Sequence, residues 1–98
     1  MAILAARNRR YHPRTPVTWP VVIETRRQRF ACQVVDISPH GAKVQTSAPL
    51  QPGRTVRLEI IPPSGSPLHV GALVWRKDPD GIAFFFAHGI SHPVIRVA

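Results

Sequence analysis

The chain of 98 residues carries 13 Lys or Arg against 5 Asp or Glu, a formal charge of +8, with 11 prolines and a single cysteine. That length holds one modest core and excludes a multi-domain enzyme, and a hydrophobic content of 44% spread along the chain argues for a folded domain rather than a disordered basic tail. Only Lys43 and Lys77 are lysines; the rest of the basic residues are arginine, which forks onto phosphates and stacks on flat rings, so the bias points to an anionic or nucleotide partner or else to a generally basic surface.

The amino-terminal stretch Met1–Ala6 is apolar, but no positive segment precedes it and Arg7 ends it before an export signal's apolar region of about 7 to 15 residues could form. Arg9-Arg10 is followed by Pro-rich polar chain, unlike a twin-arginine signal. The longest apolar runs, Met1–Ala6 and Ile82–Ala87, fall far short of the roughly 20 residues of a membrane-spanning helix. The expectation is a cytoplasmic protein with no membrane span. Cys32, with no partner for an internal disulfide, reads as a small buried hydrophobe.

Prolines leave Val21–Ser38 as the longest stretch free of them, and that stretch is rich in Val and Ile, so long helices are not expected. Period-two alternation, the mark of a strand with one buried face, recurs six times. The first run places Val17, Trp19, Val21 and Ile23 on one face, and Glu24–Gln28 forms a charged turn. The second places Phe30, Cys32 and Val34 inward and ends at Asp36. Pro39, His40 and Gly41 connect tightly to a third run with Ala42, Val44 and Thr46 on one face, and Ala48–Gly53 is a loop. Val56, Leu58 and Ile60 make the fourth run, closed by the Pro-rich segment 62–67. Leu68, Val70, Ala72 and Val74 make the fifth, with Trp75 on the opposite parity and so outside the core. The segment 77–81 is a turn, since Pro79 presets its corner and Gly81 tolerates unusual backbone angles; Ile82, Phe84 and Phe86 form the sixth run.

Six short one-faced strands joined by hairpin-like turns predict an all-β, six-stranded antiparallel β-barrel over residues 17–87. An Arg-rich arm, residues 1–16, precedes it. A tail, residues 88–98, follows it and suits neither a long helix nor a regular strand. Trp19 shares the face of Val17, Val21 and Ile23 and is assigned to the core.

Two constellations stand out. Arg7, Arg9, Arg10 and Arg14 gather four cations with no acid before Glu24; they form either a semi-rigid comb stiffened by Pro13 and Pro16 or a solvated basic tail. Asp36-Ile37-Ser38-Pro39-His40-Gly41 is either a plain turn, begun by Ser38 and shaped by Gly41, or a reader of a purine edge, because a carboxylate accepts from the N–H donors that guanine offers. His88 and His92 do not form a metal pair, since Gly89 and Pro93 oppose a helix and no other ligand lies near in sequence. No phosphate-binding glycine loop, carboxylate cluster or nucleophile with its base is visible, so neither an enzyme nor a metal protein is expected.

Arg10-Tyr11-His12-Pro13-Arg14 has the form RxxxR and Asp36–Gly41 the form DxSxxG, with 22 positions from Arg14 to Asp36. Together they resemble the PilZ family of cyclic di-GMP receptors. The likeness extends to Pro13–Val17, Asp36–Val44, Pro52-Gly53, Ala72–Trp75 and Gly81–Phe84, over roughly residues 9 to 87.

The resemblance implies a PilZ-like barrel that binds cyclic di-GMP on its outer surface while the arginine arm folds over the ligand. Arg10 and Arg14 would meet phosphate, guanine edge or ring face; Asp36 and Ser38 would hydrogen-bond a guanine edge; Gly41 would give the close turn, with His40 an exposed turn residue. Arg9, directly before the motif, would favour an intercalated ligand dimer or be one more solvated cation. Trp75 would stack on a guanine or be an ordinary surface tryptophan. The ligand, with no further cofactor, would order the arm and change a surface read by an unidentified effector protein. Two other readings stand beside this one: a basic barrel for single-stranded nucleic acid, against which the shortage of exposed stacking aromatics counts, and a PilZ-like scaffold acting through protein contacts alone. Many members of the family carry a helix after the sixth strand, which residues 88–98 do not favour, and this puts the closing of the barrel mouth in question.

Overall fold

The alternation becomes six strands: β1 (Thr15–Glu24), β2 (Arg29–Ser38), β3 (Gly41–Gln45), β4 (Thr55–Ile60), β5 (Leu68–Asp78) and β6 (Gly81–Phe86). They come from a computed structural model that describes residues 14–95. All neighbours are antiparallel, in the order β1-β2-β3-β6-β5-β4, and pairing of β4 with β1 closes the barrel.

Turn chemistry fixes the hairpins. At the β1–β2 turn the Thr25 hydroxyl accepts hydrogen bonds from the backbone N–H groups of Arg27 and Gln28 at 3.3 and 3.1 Å, satisfying donors the ladder leaves free. At the β5–β6 turn Asp78 pairs with Gly81 around Pro79-Asp80. The fifth strand therefore runs to Asp78, four residues past the apolar alternation that ends at Val74.

Inward side chains fill the barrel: Trp19, Val21, Ile23, Val34, Ile37, Val44, Leu58, Ile60, Val74, Ile82 and Phe84 are all buried. Burying each large aliphatic or aromatic side chain contributes about 1.5–3 kcal/mol against conformational entropy. Phe30 and Cys32 lie nearer the end of their strand and are only partly buried, packed on this core.

Both mouths are stopped by irregular chain. The β3–β4 loop sends in Ala48 and Leu50 at one mouth. At the other, residues 88–95 form a strap with no helix or strand, which seats Ile95 in the core and Ile90 against it. The His92 ring meets Trp19 edge-on, centroids 5.1 Å apart, and its Nε2 lies 3.1 Å from the Ser64 carbonyl oxygen. Closure thus needs no C-terminal helix.

The seam of the barrel is uneven. β1 pairs with β2 from Thr15 to Glu24 but with β4 only from Val21 to Glu24, and Pro16 and Pro20 lie in the overhanging half. Proline has no N–H to give to a ladder, and the Pro20 carbonyl still accepts from the Ile61 N–H at 2.9 Å, just beyond the paired residues of β4.

Candidate ligand-binding site

The site begins with one extra residue. Even-numbered side chains of β2 face inward up to Val34, and strict alternation would send Asp36 and Ser38 into the core. Between Val34 and Asp36 the register against β3 slips, Val34 pairing with Val44 and Asp36 with Lys43, so Val35 forms a bulge. Parity inverts there: Ile37 is buried in the core, and Asp36 is turned to the outer face. The DxSxxG segment is accordingly the last three residues of β2, a two-residue turn and the first residue of β3, rather than a connection beginning after Asp36.

Asp36 meets Arg14, whose Nη1 donates to Oδ2 at 3.4 Å, with both side chains about one-third exposed or less. The strand pair Pro16 with Asp36 sets this contact, so the two halves of the sequence motif converge. The other carboxylate oxygen, Oδ1, is buried and has no hydrogen-bond partner among the described residues, an arrangement that costs free energy unless an incoming donor completes it.

Ser38 and Gly41 build the turn. The Ser38 hydroxyl accepts from the His40 N–H and donates to the Gly41 carbonyl, each at 3.4 Å, and Ser38 is buried. Gly41 is required by close approach: a Cβ there would stand 2.6 Å from the Phe84 carbonyl oxygen. The turn is also tied to the strap, since the Ile90 N–H donates to the Pro39 carbonyl at 2.9 Å, and to the end of β6, where the Phe86 N–H donates to the His40 carbonyl at 2.8 Å. His40 is exposed.

Trp75 is the extra residue of a second bulge, between Val74 and Arg76 on β5. It is half exposed and packs on Phe85, with ring centroids 4.8 Å apart. Phe85 pairs with Gly41 on β3, so the aromatic pair shares the outer face with the turn. It does not adjoin Asp36: three strand steps separate them, about 14 Å at ordinary strand spacing, and Gly41, between them, offers no side chain. Phe85 is a surface aromatic that the alternation of β6 could have revealed, being of opposite parity to Phe84 and Phe86. Arg9 and Arg10 lie outside the described residues.

Lys43, opposite Asp36 across the β2–β3 ladder, reaches the other way. Its Nζ lies 3.0 Å from Asp78 Oδ2 and 3.1 Å from Asp80 Oδ1, and Arg76 Nε holds Asp78 from the far side at 3.0 Å. The hydrogen bond to Asp78 is the main cause that raises the Lys43 ammonium above its ordinary value, against partial burial. The Asp78 carboxyl is lowered first by Lys43 and then by Arg76.

The fold is thus a small closed antiparallel β-barrel with an acid and an arginine joined on its outer face. The sequence model of the PilZ domain matches residues 8–96; the chain belongs to the PilZ domain family, a family of cyclic di-GMP receptors built on a ligand-binding and adaptor domain. Comparison with curated proteins gives no match. Among solved structures, the Bacillus subtilis inhibitor of motility, MotI/DgrA, is similar with a TM-score of 0.70 and 23% identity over 85% of this chain and 44% of that one. The PilZ domain of CeSA from a cellulose-synthesizing bacterium gives 0.63 and 23%, covering 82% and 83%. An uncharacterized Legionella protein gives 0.52 and 18%, covering 76% of each chain. This chain spans less than half the length of the Bacillus protein, and at these identities the likeness concerns the fold. Among the described residues no helix is long and apolar enough to cross a membrane.

Proposed function

We propose that this chain is a cyclic di-GMP receptor that works as an adaptor, not as an enzyme, in the cytoplasm. The observation that carries the reading is the Asp36 carboxylate, turned outward by the Val35 bulge, joined to Arg14 on one oxygen and without a partner among the described residues on the other. A guanine presents two adjacent N–H donors, which match a carboxylate with an acceptor to spare. Arg14, with Arg9 and Arg10 of the arm, supplies guanidinium groups for phosphate and ring faces. Ser38 and Gly41 hold the turn that fixes Asp36, and Trp75 with Phe85 offers a stacking surface at the far edge of the same face. Ligand contacts made only in the bound state would order the arm and alter the surface presented to an effector protein.

Isothermal titration with cyclic di-GMP, with GMP as control and repeated at raised salt, tests this. The expected result is saturable binding that discriminates against GMP. A ratio near two ligands per chain, falling to one in Arg9→Ala, is the expected sign of an intercalated dimer. Absence of binding at high ligand concentration overturns the receptor reading and leaves a domain that acts through protein contacts.

A further inference from the structure

Asp36 has two cationic neighbours on the outer face, and only one of them is bound to it. Arg14 holds Oδ2. Lys43 stands directly opposite Asp36 on β3, on the same face of the sheet; in such antiparallel pairs the Cβ atoms are about 4.5–5.5 Å apart, and opposite charges ordinarily join. Oδ1 of Asp36 is nevertheless buried without a partner among the described residues. The reason lies on the other side of Lys43. Its next neighbour in the sheet is Ala83 of β6, beyond which comes Arg76 of β5. Ala83 is small enough for the lysine stem to cross β6, and it is itself 5% exposed although it faces away from the core. The ammonium is thereby received by two carboxylates, Asp78 and Asp80, at the β5–β6 turn. Asp78 is fixed in turn by Arg76.

From this arrangement we infer that Asp78 and Asp80 act as positioning residues for the ligand site, by drawing Lys43 across β6 and keeping it off the free oxygen of Asp36. The inference rests on the receptor reading above and adds to it a pair of acids that touch no ligand. A carboxylate with both oxygens taken by Arg14 and Lys43 has lost the acceptor that a guanine N–H needs, and the ligand then has to break an ion pair before it can bind. With the lysine held away, the same oxygen, buried and without a partner among the described residues, keeps its acceptor for an incoming donor. The clamp is stiff because Lys43 is shared by two acids and Asp78 by two cations, so releasing the lysine breaks several contacts at once.

The test is a set of titrations with cyclic di-GMP on the wild-type chain, Lys43→Met, Asp78→Asn/Asp80→Asn, and the triple variant Asp78→Asn/Asp80→Asn/Lys43→Met. The double variant is expected to bind roughly tenfold more weakly, the scale of one charge-assisted hydrogen bond, even though it carries more positive charge toward an anionic ligand. Lys43→Met alone is expected to stay within about twofold of wild type, and the triple variant to recover wild-type affinity. An unchanged or tighter double variant overturns the inference. So does a triple variant that stays weak, which would mean that the acids merely support the β5–β6 turn, or a weakened Lys43→Met, which would make the lysine a ligand contact. A crystal structure of the ligand-free double variant separates this inference from the receptor reading. Lys43 Nζ within hydrogen-bond distance of Asp36 Oδ1 supports the clamp even if no variant binds cyclic di-GMP, and a lysine that stays away from Asp36 refutes it.

Discussion

The two mouths of the barrel are stopped by different kinds of chain. Leu50 enters from the β3–β4 loop, between two strands; Ile95 enters from the strap that follows β6, residues 88–95, which carries no strand pairing. The strap's other attachments are single contacts: Ile90 N–H to the Pro39 carbonyl, His92 against Trp19, and His92 Nε2 at the Ser64 carbonyl. The Asp36 turn lies at the strapped mouth, because Pro39 sits between Ser38 and Gly41. The Leu50 plug has no bond to the Asp36 turn among the described residues, whereas the strap is bonded to it through Ile90 and Pro39, so under the proposed receptor reading the strap can register what happens there.

The largest expected effect is at the internal plug. Leu50→Ala removes a fully buried side chain with little room to collapse, a loss of about 2–5 kcal/mol in urea unfolding. Asp36→Ala is expected to reduce cyclic di-GMP affinity about a hundredfold in calorimetry, through loss of two charge-assisted hydrogen bonds. Its stability should stay within about 1 kcal/mol of wild type, since a partly exposed ion pair at 3.4 Å contributes little and a buried oxygen without a partner among the described residues is removed with it.

Ile95→Ala should cost about 2 kcal/mol, the low end of the range for such truncations, because a strap held by single contacts can resettle. Equal losses at Leu50 and Ile95 would abolish the contrast between the mouths. Ligand affinity sharpens it: Ile95→Ala should weaken cyclic di-GMP binding severalfold while Leu50→Ala leaves it unchanged.

The smallest effect concerns pH. Asp78 is lowered by Lys43 and Arg76, so its contribution is complete above the ordinary value of 3.8 and is lost as pH falls through its folded value. Lys43 is raised chiefly by Asp78, so its contribution is complete below 10.5 and is lost as pH rises through its folded value. The melting temperature of Lys43→Met should therefore lie slightly below that of wild type at neutral pH, with the two curves converging at both extremes.

Much of the barrel is readable from alternation and turn residues: the six strands, the placement of Trp19 inside and Trp75 outside, and the β5–β6 turn all follow from period two and from proline and glycine placement. The bulges do not follow, because one unpaired residue changes register without changing composition. A trace exists in β2, where Val34 and Ile37, both buried, differ in parity; Asp36 could only be turned outward by a break between them. The strap is harder to read, since Ile90 and Ile95 follow no period and fill a space defined by other elements. Lys43 and its two acids are invisible until the order β3-β6-β5 is known, as nothing local in the sequence draws a residue of β3 toward the far turn.

The uneven seam has a consequence for how copies of this chain, or other proteins, can attach to it. A closed barrel offers a foreign strand few main-chain groups; among the described residues these lie where one strand overhangs its neighbour, as β1 overhangs β4 and β2 overhangs β3. In the β1 overhang Pro16 has no N–H to offer, and the Pro20 carbonyl is already taken by the Ile61 N–H. Main-chain recruitment, the route by which many small β-proteins polymerise or capture extended peptides, is thus confined among the described residues to short overhangs, and association over the rest of the barrel is read through side chains, where it can be made to depend on what occupies the outer face.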